Sequence, residues 1–280
     1  MKFCNPASTR NEFSKLAKAY ARRRDPRAVL EARQFINWIG LSPDESVLDA
    51  ACGPGLLAKA MVSAARNSVF AVDISFRMLD LARCTQQRAR RLCLALADVQ
   101  HLPFASEGFD ALTCTYSFAN FPDPLQVLRE FARVTRSTGK IGIMDVVAPS
   151  DPAENRKLND LESSRSHIYT HLMTSEQFGE LFKAASLELM SQRLYHRRQS
   201  LAEWLRLSPA IDRDSKSEVF ALAKKNVEAI PGRGRQPQDF MSYVTSWFLL
   251  RKRPIAERQP PYPPRQQTGL APSASRQRLG

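Results

Sequence analysis

Residues 47–58 read VLDAACGPGLLA, and the order of residue types in that stretch decides the fold. A short apolar run carrying a carboxylate is followed at once by a Gly-Pro-Gly turn and then by the helix-like LLAKAMVSAA. Gly53, Gly55 and Ala58 stand at the spacing G-x-G-x-x-A, opening a helix directly after a strand. A residue without a Cβ lets the backbone approach whatever the turn holds. That spacing alone would serve a nicotinamide dinucleotide. Asp49 separates the readings, because it stands where strand gives way to turn and would repel an anionic pyrophosphate placed there. A ligand with no phosphate and with cationic groups would be attracted instead.

Outward from this stretch, strand and helix alternate. Strands are expected at 69–72, 93–97, 110–116 (DALTCTY) and 140–147 (KIGIMDVV), with helices at 78–91 and 125–135 between them. Such alternation with short loops predicts a parallel sheet covered on both faces. Asp73 ends the second strand (FAVDIS) and Asp98 the third (LALADVQHLPF). Three carboxylates at the ends of three successive strands share one edge of the sheet, the edge at which open α/β sheets bind ligands. S-adenosylmethionine fits this ring: its ammonium and sulfonium suit Asp49, its ribose hydroxyls Asp73, and its adenine amine Asp98, with the Val99 backbone against the ring edge. A strand-end Asp also serves as a cap for the turn that follows it.

Before this region, Phe13, Leu16, Ala17 and Tyr20, then Val29, Ala32, Phe35, Ile36 and Ile39, recur at helical spacing. Asp25–Pro26 separates the two helices and Gly40 stops the second. After Pro149 the alternation lapses into a polar stretch to 173, a helix at 174–185, a weakly alternating strand at 186–197, helical texture at 201–228 and a last strand at 243–251. Residues 254–280 hold six prolines and few apolar residues, and read as a disordered basic tail.

The net charge of +13 raises the question of nucleic acid. Residues 1–35 carry nine Lys/Arg against three Asp/Glu, and 251–280 seven against one, so each end holds +6 and the stretch between is nearly neutral at +1. Charge confined to the ends reads as solvated surface. The five cysteines are scattered without C-x-x-C spacing, which argues against zinc and for reduced thiols. With no apolar leader and no run long enough to cross a bilayer, a cytoplasmic protein is expected.

The segments VLDAACGPG, AVDIS, ADVQHLPF, FDALTCTYSFANFPDP, VLREFARVTRSTGKIGIMDVV and FLLRKRP resemble the class I S-adenosylmethionine-dependent methyltransferases. Within that class they are similar to the type 11 branch of ubiquinone/menaquinone biosynthesis C-methyltransferases. The resemblance spans about residues 10–254. It implies a three-layer, Rossmann-like, doubly wound sheet of seven strands in the order 3-2-1-4-5-7-6, strand 7 antiparallel, with N-terminal helices and a helical lid. The division expected is an N-terminal helical cap at 1–40 and a cofactor-binding domain at 41–254. That domain carries lid insertions at about 151–173 and 200–240, and the tail follows at 255–280. The resemblance places Tyr20 over the methionine end of the cofactor. With it, the expected cofactor contacts are Tyr20, Asp49, Ala51, Gly53, Gly55, Asp73, Ile74, Met78, Asp98, Val99, Tyr116 and Ser117.

This chain departs from the pattern in two places. Ala119–Asn120 stands where many relatives carry His-His, and Ser137–Thr138–Gly139 where they carry Pro-Gly-Gly. The first change removes imidazoles from the rim of the acceptor pocket. His167, in SRSHIY, is then the leading candidate for a base, with Tyr169 beside it. Trp38, Trp204 and Trp247 are expected to pack. The expected activity is methyl transfer from S-adenosylmethionine to a small-molecule O, N or C nucleophile, without metal. A nucleic-acid methyltransferase, an NAD-dependent oxidoreductase and a non-catalytic cofactor-binding protein are the other classes. The Asn/Asp-Pro-Pro-aromatic motif of amino-methylating nucleic-acid enzymes is absent, its region reading FANFPDP.

Overall fold

The structure, a computed structural model, describes residues 6–21, 26–85, 91–164, 170–200, 204–205 and 240–254. His167, Tyr169, the tail at 255–280 and most of the expected lid at 200–240 lie outside the described residues.

Seven strands form one sheet: β1 (Val47–Ala50), β2 (Val69–Asp73), β3 (Leu92–Leu96), β4 (Phe109–Thr115), β5 (Thr135–Val147), β6 (Leu187–Ser200) and β7 (Phe240–Lys252). Their order is β3-β2-β1-β4-β5-β7-β6. Strands β1 to β5 run parallel, and β7 is antiparallel to both β5 and β6. The described helices are α1 (Pro6–Ala21), α2 (Pro26–Ile39), α3 (Leu56–Ala64), α4 (Phe76–Thr85), α5 (Pro124–Val134), α6 (Pro152–Ser164) and α7 (Ser175–Ala184).

The period of two along each strand splits the core. Leu48, Val72, Leu112 and Ile143 point to one face, where Leu128, Phe131, Phe178 and Phe182 of α5 and α7 cover them. Val47, Val69, Ala111 and Met144 point to the other, under Phe35, Ile36 and Ile39 of α2 and Leu57 and Met61 of α3. Strands buried on both sides must be apolar at nearly every position, which is why VLDA and VFAVD carry no polar alternation. Trp247 lies buried on the α2 face, edge-on to Phe35 at 5.3 Å and 5.7 Å from Trp38. Helix α1 packs separately, laying Leu16 and Ala17 on Met78 of α4.

Local chemistry fixes the helix ends. Pro26 opens α2, and Gly40 follows its end at φ 65°. Asp123 caps α5 by accepting from the Gln126 backbone, and Thr174 and Gln177 form a reciprocal capping box on α7. Three strands are longer than the sequence pattern indicates: β5 begins at Thr135, β6 runs to Ser200 and β7 starts at Phe240. The register of Arg197 with Tyr243 and of Ser200 with Phe240 carries β6 and β7 past the carboxyl end of β5, which stops at Val147 opposite Val244. No helix among the described residues is long and apolar enough to cross a membrane.

Candidate active site

The strand order reverses direction between β1 and β4, which opens a crevice beyond their carboxyl ends. Both strands leave the sheet through a left-handed, non-glycine residue: Ala51 at φ 54° after β1 and Tyr116 at φ 53° after β4. Each such conformation costs about 1–3 kcal/mol and persists only where the surroundings impose it. Here the surroundings are hydrogen bonds. The Cys52 N–H donates to the Val72 carbonyl at 2.9 Å, and the Tyr116 N–H to the Met144 carbonyl at 2.8 Å.

Asp73 ties the glycine turn to the neighbouring strand. Its Oδ2 accepts from the Gly53 N–H and its Oδ1 from the Ser75 N–H, both at 2.8 Å. Burial pushes this carboxyl up to about 6 against the pull of those bonds. The two glycines have different reasons to be glycine. A Cβ on Gly53 (φ 53°) would enter open space, whereas one on Gly55 (φ 79°) would stand 2.8 Å from the Cβ of Ala82 on α4. Gly53 thus faces the crevice, and Gly55 lets α3 start against α4.

Asp49 is buried, with 1% of its surface exposed. Its Oδ1 accepts from the Thr113 hydroxyl at 3.0 Å, while Oδ2 is buried with no hydrogen-bond partner. Desolvation drives the carboxyl up to about 7, opposed by the Thr113 bond and by the Ala58 backbone N–H and reinforced by the charge of Asp73. Asp98, one strand further out, is half-buried, and its Oδ1 accepts from the Gln100 N–H at 2.9 Å. Val99 beside it is buried, Ile74 is half-buried in the Asp73–Ser75 turn, and Met78 lies under α1 with Tyr20 partly buried in the same contact.

Ser117 belongs to a turn clamped by a residue that sequence reasoning did not single out. Asp145 of β5, 3% exposed, accepts from the Ser117 and Phe118 N–H groups through Oδ2, at 2.9 and 2.8 Å. Burial raises its carboxyl to about 6. The signal was present as a lone Asp inside the apolar strand KIGIMDVV, where an acid needs buried donors.

Tyr116 joins a second cluster that spacing could not reveal. Its hydroxyl donates to Glu31 Oε2 of α2 at 2.9 Å, and Arg197 of β6 pairs with Glu31 Oε1. Tyr116 is 44% exposed, and desolvation and the Glu31 charge, with Tyr243 beside it, push the phenol well above its usual range. Arg197 Nε is buried there without a hydrogen-bond partner. At the Ala119–Asn120 position, the segment after α6 docks by backbone, with the His171 N–H donating to the Ala119 carbonyl at 2.8 Å.

The site therefore gathers Asp49, Gly53, Asp73 and Asp98 along the ends of β1, β2 and β3, with Tyr116 and Ser117 across the crevice. Residues 48–143 match the family described as a methyltransferase domain. Over 125 residues the chain is 32% identical to the demethylmenaquinone methyltransferase of Lactobacillus johnsonii, an overlap of 43% of this chain and 51% of that one. Over 171 residues it is 29% identical to the demethylmenaquinone methyltransferase of Thermotoga maritima, covering 54% of this chain and 73% of the relative. The chain thus spans about half of the first relative and about three-quarters of the second. Among solved structures, the YcgJ protein of Bacillus subtilis shares the fold with a TM-score of 0.70, covering 80% of this chain and 100% of that chain at 19% identity. Residues 48–143, which match the methyltransferase domain, thus hold most of the strands of the seven-stranded sheet whose carboxyl edge carries these acids.

Proposed function

We propose that this chain transfers a methyl group from S-adenosylmethionine to a small-molecule acceptor, with a quinol-like ring as the acceptor class favoured by its named relatives. The observation that carries the reading is the buried, unpartnered Oδ2 of Asp49 at the head of the glycine turn. A carboxylate oxygen left without a donor there fits a cationic ligand group and opposes a pyrophosphate. The open space in front of Gly53 fits the same ligand.

When bound, the cofactor supplies an activated methyl on a sulfonium sulfur. The chain's own part is to bind, orient and exclude water. Asp49 would hold the ammonium. Each oxygen of Asp73 accepts one backbone N–H and keeps lone-pair capacity for the ribose hydroxyls, and Asp98 keeps the same for the adenine amine. The remaining expected contacts (Tyr20, Ala51, Gly53, Gly55, Ile74, Met78, Val99, Tyr116 and Ser117) complete the proposed cradle. A base is required only for an acceptor that arrives protonated. His167 and Tyr169 are the candidates read from sequence, and the Tyr116–Glu31–Arg197 cluster lies at the end of β4, between α2 and β6.

Calorimetric titration of the purified chain with S-adenosylhomocysteine, NAD and NADP tests the cofactor. Micromolar binding of the first and none of the others is expected; tight NAD binding with no response to S-adenosylhomocysteine overturns the reading. Transfer of label from S-adenosylmethionine to 1,4-naphthalenediol, followed by mass analysis, tests the acceptor class.

A further inference from the structure

Helix α1 lies across the turn that Asp73 organises. Ser14 Oγ sits 3.1 Å from Ser75 Oγ, Ser75 N–H donates to Asp73, and Asp73 accepts from Gly53, so a chain of hydrogen bonds runs from the helix to the glycine turn. One turn before Leu16, which buries itself on Met78, the same helix carries Glu12. Only 8% of Glu12 is exposed. Lys15 takes its Oε1 at 2.9 Å, and Oε2 is fully buried with no hydrogen-bond partner.

A buried carboxylate oxygen without a donor is costly, and it persists where a donor arrives with a ligand. Among the described residues, two carboxylates carry such an orphaned oxygen: Asp49 at the end of β1 and Glu12 in the helix over the β2 turn. We propose that Glu12 is a cofactor ligand, its free Oε2 accepting a hydrogen bond from a hydroxyl or amino donor of the bound S-adenosyl group beside the Asp73 turn. The inference rests on the cofactor proposed above. Helix α1 then covers the nucleotide cradle and also contributes a contact to it, so that ligand binding and docking of α1 reinforce each other.

The test replaces Glu12 by leucine, which keeps the helix and the buried volume but removes the acceptor, and by glutamine, which keeps one acceptor and loses the charge. Affinity for S-adenosylhomocysteine is read by calorimetry, and the melting temperature of the ligand-free protein alongside it. Glu12→Leu should weaken binding about tenfold or more. Glu12→Gln should weaken it less, and the ligand-free melting temperature should hold or rise in Glu12→Leu, because a buried oxygen without a donor has gone. Unchanged affinity in Glu12→Leu overturns the proposal, as does an affinity loss that merely follows a fall in ligand-free stability. A wild-type chain that does not bind S-adenosylhomocysteine overturns the cofactor reading itself, an outcome distinct from either.

Discussion

At the scale of single residues, Asp49 concentrates the chemistry of the crevice. Its carboxyl is lifted to about 7 chiefly by desolvation, so near neutrality about half of the empty sites hold a proton that a cationic ligand must displace. Binding of S-adenosylhomocysteine, through its ammonium, should therefore release a proton, and affinity should rise with pH up to about 7 and level off above it. Titration in buffers of different ionisation enthalpy reads that proton directly. Asp49→Asn should abolish the release and weaken binding about tenfold or more, the loss of one charge-assisted bond. A proton release that survives the substitution would assign the titration to another group. Asp73 is a poorer subject for such a test, because removing it also frees the Gly53 and Ser75 N–H groups and disturbs the turn itself.

At the scale of elements, the strand–turn–helix at β1 and α3 separates folding from binding within three residues. Gly55→Ala adds left-handed strain and drives a methyl into Ala82, so it should cost about 2–4 kcal/mol in urea unfolding. Gly53→Ala meets no protein atom and should cost only about 1 kcal/mol, yet it should reduce cofactor affinity by at least as much as Gly55→Ala. The reverse ranking in stability would show the roles exchanged. The β6–β7 ribbon explains where reading of elements from sequence fell short. As an edge strand, β6 has an exposure pattern with no clear alternation and leaves Leu189, Met190 and Leu194 exposed, so the period of two that marks a half-buried strand is missing. The first helices were legible for the opposite reason: Pro26 and Gly40 act on neighbours a few residues away.

For the molecule as a whole, Asp49, Asp73 and Asp145 share a debt to burial. All three carboxyls rise from 3.8, to about 7, 6 and 6. A raised folded value means that the folded state binds the proton more tightly than the unfolded one. The stability these groups contribute is full below about 3.8 and is lost as pH rises through about 6 and 7. Asp110 and Glu130, both lowered, act with the opposite sign, and their contribution is lost in acid below the ordinary carboxylate range. Urea unfolding of the ligand-free protein should thus show stability falling between about pH 5 and 7.5, and Asp145→Asn should flatten the fall near pH 6. A profile that rises steadily over that window would refute the assignment. Glu31 joins α2 to the end of β4 and to β6.

The sequence by itself determined what local spacing can carry. Gly53 and Gly55 after an apolar strand, an Asp at the end of each of three strands, and the succession of strand and helix specified the sheet and the edge at which such sheets bind ligands. Each depends on residues within one strand–turn–helix unit, where φ/ψ preferences and side-chain periodicity act directly. Tertiary structure alone decided the partnerships. Glu31 meets Tyr116 across 85 residues and Arg197 across 166, Asp145 reaches back 27 residues to Phe118, and Gly55 is a glycine because Ala82 of another helix lies against it. Only the docking of α1 over the β2 turn buries Glu12 and leaves it an oxygen without a donor. Such contacts have no period in the sequence, because they follow from how whole elements stack, and stacking is set by the summed burial of every face rather than by any one residue.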